Sequence, residues 1–119
     1  MVADKLDYPD YMYALTQQIL RSNPHVVGSA IAFEPSYYPE KGVLFSPYSY
    51  RTEDGGIRSK QLGTEDYEYH YMDWYQIPKL LRKSCWSEPY LDDGGANVVM
   101  TTYSMPLYDS QGEMYAVFT

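Results

Sequence analysis

Between Tyr8 and Ile19 the apolar side chains Tyr8, Met12, Leu15 and Ile19 recur at spacings of four, three and four, with Tyr11 alongside. That stripe predicts an amphipathic helix of roughly 14 residues. Asp7 is its candidate N-cap, Pro9 fits the first turn, and Ser22-Asn23-Pro24 ends it. The pattern then changes. His25 to Phe33 is β-branched and apolar with small residues between, which predicts a central strand, and Gly28 leaves room for a close approach to its backbone. Glu34-Pro35-Ser36 closes it. Val43 to Arg51 is extended, and the turn Glu53-Asp54-Gly55-Gly56 makes a hairpin with Ile57 to Leu62.

Tyr67, Tyr69 and Tyr71 alternate with Glu68 and His70, the period of an extended segment with one aromatic face. Asp73 reads as the N-cap of a short helix, Trp74 to Lys83, with Trp74, Ile77, Leu80 and Leu81 on its apolar side. Lys79, Arg82 and Lys83 fall on the solvated face of that helix. Trp86 to Leu91 is extended, Asp92-Asp93-Gly94-Gly95 is a turn, and Asn97 to Leu107 is a long strand. Asp109-Ser110-Gln111-Gly112 turns it back into Met114 to Phe118. Strands joined mostly by hairpins, with helices set aside to cover them, predict an α+β domain. Its expected form is a central antiparallel five-stranded sheet, an N-terminal helix, and a short helix in the long cross-connection. A connection that long can roof a cavity.

Composition narrows the function. The 119 residues suit a single domain, 1–119, and 45% apolar against 21% charged side chains is ordinary globular usage. Tyrosine is not ordinary: 15 Tyr stand against 3 Phe and 2 Trp, so most aromatic surface carries a hydroxyl suited to half-buried positions. A formal charge of −7 with scattered Lys and Arg argues against nucleic acid and anionic lipid as partners. One cysteine, Cys85, permits neither an internal disulfide nor a cysteine metal cluster. No run of about 18 apolar residues is present. The abrupt start and the stop at Ala116-Val117-Phe118-Thr119, inside an apolar strand pattern, lead to the expectation of a fragment cut from a longer, membrane-anchored chain.

Little in the chain favours catalysis. Cys85 with His70 is the one nucleophile and base pair worth weighing, and no flanking motif orients it, so Cys85 is read as a small buried hydrophobe. The carboxylates of Glu65-Asp66 and Asp92-Asp93 sit in turn sequences and lack the alternating ligands of a calcium loop. No catalytic residue, metal or cofactor is expected. The aromatic set Tyr48, Tyr50, Tyr69, Trp74, Tyr75, Trp86, Tyr90 and Tyr103 is the candidate ligand site, because rings with polar tips stack on a small metabolite, hydrogen-bond to it, or hold an ammonium. Core packing competes with that role for each ring taken singly.

Several words of the sequence, taken together, resemble the Cache-type, PAS-like sensor regions of bacterial membrane-bound signalling proteins. They are Gly28-Ser29-Ala30-Ile31-Ala32-Phe33-Glu34-Pro35, Pro47-Tyr48-Ser49-Tyr50-Arg51, Asp73-Trp74-Tyr75, Trp86-Ser87-Glu88-Pro89-Tyr90 and Thr102-Tyr103-Ser104-Met105-Pro106-Leu107. The resemblance implies a periplasmic, extracytoplasmic input domain of an inner-membrane histidine kinase or PP2C-type phosphatase. It also implies a small-molecule ligand of unknown identity, polar or cationic, under the loop that crosses the sheet. The other reading is a protein-interaction or dimerisation module without a small ligand, with the N-terminal helix as the homodimer surface. Two departures bear on the ligand. Amino-acid-binding members carry an Arg two residues before the Trp of their Trp-Tyr pair, where this chain has Met72. Their amine-binding Asp would follow Thr119. An amine, a nucleobase-like ring and a small organic acid stay open, with Glu88 as an alternative charged partner.

Overall fold

A computed structural model describes residues 10–87, 89–91 and 99–119, with the side chains of Tyr90 and Leu91 outside the description. Asp7, Tyr8, Pro9, Glu88 and the Asp92-Asp93-Gly94-Gly95 turn also lie outside the described residues. Helix α1 runs over Tyr11–Ser22, followed by β1 (Gly28–Phe33), β2 (Pro47–Arg51) and β3 (Ile57–Gln61). Helix α2 (Asp73–Leu81) lies in the long connection. Then come β4 (Cys85–Trp86), β5 (Tyr90–Leu91), β6 (Val99–Met100), β7 (Tyr103–Tyr108) and β8 (Met114–Phe118).

The sheet has the order β3-β2-β1-β8-β7-β4, and every neighbouring pair is antiparallel. This is the expected α+β arrangement with one correction. The five expected strands gain a sixth, the two-residue β4 on the β7 edge, and β5 pairs with β6 in a separate ribbon. The long strand expected from Asn97 to Leu107 is interrupted at Thr101-Thr102, because those residues bond to Ser87. Thr101 Oγ1 donates to the Ser87 carbonyl (2.7 Å), the Thr102 N–H donates to Ser87 Oγ (2.9 Å), and Ser87 N–H donates to the Thr102 carbonyl (2.7 Å).

Strand alternation divides the core between the two faces. On one face Ala30, Ala32, Tyr48 and Val117 pack with Tyr69, Trp74 and Tyr75 from the crossing segment. On the other, Ile31, Phe33 and Ala116 pack with Met12 of α1 and with Phe45 and Tyr38. The buried stripe of α1 is Met12, Thr16 and Leu20, rotated from the predicted one, and Tyr11 is exposed. Thr16 explains the rotation. A hydroxyl chain with one consistent donor direction runs from Gln17 Nε2 to Ser59 Oγ (2.8 Å), on to Ser49 Oγ (2.7 Å) and to Thr16 Oγ1 (2.7 Å). It ends on the Tyr13 carbonyl (3.0 Å). Four buried or half-buried polar groups are thereby satisfied, and an apolar stripe could not have revealed them.

The crossing segment departs most from the sequence pattern. Tyr69–Tyr71 forms a 3-10 turn instead of an extended run, capped by the Met72 N–H on the Tyr69 carbonyl (2.9 Å). Tyr69 is consequently buried while Tyr71 is exposed. Met72, not Asp73, occupies the N-cap of α2, and Asp73 is its first helical residue, where a carboxylate favours the helix dipole. The helix buries Trp74, Tyr75 and Pro78, whereas Ile77, Leu80 and Leu81 are exposed. It ends two residues early, at Leu81, since Arg82 takes the left-handed conformation (φ 56°).

Candidate functional site

A cavity of about 690 Å³ opens where the C-terminal end of α1, the start of β1 and the β4–β7 edge converge. Its volume falls in the range of small-molecule sites. Ile19 and Asn23 bring the last turn of α1 to it, and His25, Val26 and Val27 carry the wall into β1. Arg51 fixes that wall. Its Nε donates to the Val26 carbonyl (2.8 Å), and its Nη2 donates to the carbonyls of Asn23 (3.0 Å) and Leu20. One guanidinium so ties the C-terminus of α1 to a cavity-lining segment.

Gly28 is the close approach anticipated from the sequence, and what approaches is the Tyr48 ring. A Cβ at Gly28 would lie 2.9 Å from Tyr48 Oη and 3.0 Å from its Cε1. Any larger residue would press the phenol out of its place against β1. Tyr48 stacks on Tyr50 with centroids 5.5 Å apart, and Lys60 Nζ sits 5.4 Å from the Tyr50 ring centre.

Of the eight aromatic candidates, Tyr48, Trp74, Trp86 and Tyr103 line the cavity together. Trp86 and Tyr103 face each other as a cross-strand pair, centroids 5.0 Å apart and inclined at 52°, and both are substantially exposed at its rim. Trp74 is buried, and its Nε1 donates to Tyr67 Oη (3.1 Å). Tyr50, Tyr69 and Tyr75 do not line the cavity. Tyr50 lies behind Tyr48. Tyr69 and Tyr75 are fully buried supports of α2, the former bonded to backbone groups of Phe33 and Phe45 and the latter to Glu34. The Tyr90 side chain lies outside the described residues. Asn23, His25, Tyr67, Thr101 and Met105 also line the cavity and were not anticipated. Tyr67 had a visible signal, its place in the alternating Tyr run; the others are brought there only by topology.

The other residues considered for chemistry fall elsewhere. Cys85 pairs with Ser104 across β4 and β7, and the His70 ring lies against Tyr71 (4.0 Å) and Tyr69 (6.1 Å) with Nδ1 buried. Among the described residues no cluster of His, Cys, Asp and Glu is grouped to hold a metal.

Burial pushes the Tyr69 and Tyr75 hydroxyls well above the ordinary tyrosine value of 10.0, and for Tyr75 the Glu34 carboxylate adds to the effect. The unfolded chain therefore releases these two protons near pH 10 while the folded chain retains them. Stability is unaffected below pH 10 and is lost above it, by about 1.4 kcal/mol per pH unit for each phenol. Urea titrations between pH 9 and 11.5 are expected to show this steep fall. Absorbance at 295 nm should show two tyrosines ionising only on alkaline unfolding, and their ionisation alongside the exposed tyrosines would contradict the assignment.

The fold is PAS-like. Residues 12–119 match the family of methyl-accepting chemotaxis protein-like first PDC sensor domains, and the chain belongs to that family, part of the Cache/PDC group. A comparison with curated proteins finds no match. Among solved structures, the chain is similar to the extracellular domain of a protein described as a histidine kinase, soHK1S-Z6. The identity is 30% and the TM-score 0.73, over 94% of this chain and 42% of the other. A second such extracellular domain, mmHK1S-Z3, is 29% identical with a TM-score of 0.74, over 92% and 42%. Methyl-accepting chemotaxis protein X shares the fold at 22% identity, with a TM-score of 0.75 over 92% and 44%. The chain spans less than half the length of these solved relatives.

Proposed function

We propose that this chain is the extracytoplasmic, periplasmic input domain of a membrane-anchored signalling protein and that it binds a small polar or cationic metabolite among Tyr48, Trp74, Trp86 and Tyr103. The observation that carries the reading is the cavity of about 690 Å³ with both tryptophans of the chain in its walls. Membership of a sensor-domain family supports the role. Two relatives described as extracellular domains of histidine kinases support the location and favour a histidine kinase over a phosphatase as the parent. Ile19 and Asn23 line the cavity directly, so a ligand there touches the helix whose displacement would carry the signal.

A thermal-shift screen against a broad metabolite panel tests this, with tryptophan fluorescence as a second readout. A ligand at saturating concentration is expected to raise the Tm by about 3 °C or more and to perturb emission from Trp74 and Trp86. A panel with no stabilising compound would count decisively against the sensor reading. It would favour an interaction module, for which the exposed Ile77, Leu80 and Leu81 of α2 supply an apolar surface.

A further inference from the structure

Helix α2 is apolar on two sides. Trp74, Tyr75 and Pro78 fill the core, yet Ile77, Leu80 and Leu81 are exposed at 41%, 75% and 55%. At spacings of three and four these aliphatics share one outward stripe, which begins at Asp73. Helices apolar on both sides are ordinarily covered on both sides. Among the described residues nothing covers the outer side of this one.

The charges along the same segment separate by sign. From 65 to 73 the chain carries Glu65, Asp66, Glu68 and Asp73, all exposed, and no Lys or Arg. From 79 to 83 it carries Lys79, Arg82 and Lys83, all exposed, and no Asp or Glu. Lys79 leans on Glu34 (3.1 Å), and Arg82 donates to the Gly112 carbonyl (3.1 Å). Lys83 and the four acids enter no salt bridge among the described residues. An acidic end, an aliphatic middle and a basic end are complementary to the same segment reversed. An anionic lipid surface would be repelled by the acidic end, and a protein face of one sign would match only one end.

We infer that this face of α2 is an interface between two copies of the chain, paired about a twofold axis with the two helices antiparallel. Ile77 of each copy rests on Leu80 of the other, and Asp73 comes beside Lys83 of the other, each contact occurring twice as a twofold interface requires. Antiparallel pairing also sets the helix dipoles head to tail. The face is small. Nine residues make a helix about 13 Å long, short of the area of a standard interface, so the dimer is weak, with an expected Kd of roughly 0.1 to 1 mM. The pairing does not depend on the ligand reading, which the metabolite panel tests separately.

Sedimentation equilibrium at concentrations up to about 1 mM tests it. A reversible monomer–dimer equilibrium is expected, weakened at least about threefold by raising the salt to about 0.5 M. Leu80→Glu, at a position 75% exposed, is expected to leave thermal unfolding unchanged and to raise the Kd at least about tenfold. The charge pairing has its own test. Asp73→Lys and Lys83→Glu, each confirmed folded by circular dichroism, are both expected to dimerise more weakly than wild type. Their equimolar mixture should recover wild-type association, because Lys at 73 then faces Glu at 83 and Asp73 faces Lys83. A chain that stays monomeric at the highest concentration overturns the inference. So does a dimer indifferent to Leu80→Glu, which would lie on another surface such as α1, or association that runs on beyond the dimer. A mixture no tighter than either variant alone overturns the antiparallel pairing, and the inference with it.

Discussion

Replacing Tyr69 with alanine is expected to remove about 4 kcal/mol of folding stability, the range of a large aromatic lost from a closed core. Tyr69 is fully buried, its ring 6.3 Å from Trp74 and 5.6 Å from Tyr75 between centroids. Its hydroxyl accepts from the Phe45 N–H (3.0 Å) and donates to the Phe33 carbonyl (2.6 Å), joining the end of β1 to the segment entering β2. The chain makes room for the ring at Gly63, where a Cβ would lie 2.7 Å from Tyr69 Cε2. Phenylalanine keeps the ring but leaves two buried backbone groups without their partner, a loss of about 2 kcal/mol. Urea denaturation of the two variants separates packing from hydrogen bonding. A Tyr69→Phe protein within about 0.5 kcal/mol of wild type would show that the hydroxyl is not the junction described. Trp74 lines the cavity on the same support, so the alanine variant is also expected to shift tryptophan emission.

Tyr69 marks where the sequence was legible and where it was not. The hairpins at Gly55 and Gly112, both at positive φ, were readable because only those backbone conformations close turns of that length. The central strand was readable because Ala30 to Phe33 is buried along its whole length. The crossing segment was opaque. Alternating tyrosines signal an extended strand, and the 3-10 turn that buries Tyr69 is chosen by partners at Phe33 and Phe45, 36 and 24 residues away in sequence. The face of α2 was misread for a related reason. Aliphatic residues were assumed to point inward, yet Pro78 and Tyr75 fill the core and leave Ile77, Leu80 and Leu81 outside. Ring chemistry suggested eight site residues, and topology alone separates the four at the cavity from Tyr50, Tyr69 and Tyr75. The wall from Asn23 to Val27 had no sequence signal, because its arrangement depends on a guanidinium at Arg51.

Replacing Arg51 with methionine is expected to cost about 3 kcal/mol and to weaken ligand binding through a residue that does not touch the ligand. The arginine sits at the end of β2 and reaches three carbonyls at or beyond the C-terminus of α1, those of Leu20, Asn23 and Val26. Its own N–H bonds the Val27 carbonyl (3.0 Å), so the loop is held from backbone and side chain together. The last carbonyls of a helix have no partner within it, and a cation placed there also opposes the negative end of the helix dipole. Methionine removes both contributions and leaves the carbonyls to compete for water. Lysine restores the charge but not the planar fork that spans three acceptors, so it is expected to recover only about a third of the loss. Hydrogen exchange gives the decisive contrast. Amides from Asn23 to Gly28 should exchange faster in Arg51→Met while those of β7 and β8 keep their protection, because the wall loosens before the sheet does. Equal acceleration across the whole domain would mean that Arg51 supports global stability alone. Full recovery by lysine would mean that charge, and not the three-carbonyl clamp, joins α1 to the cavity.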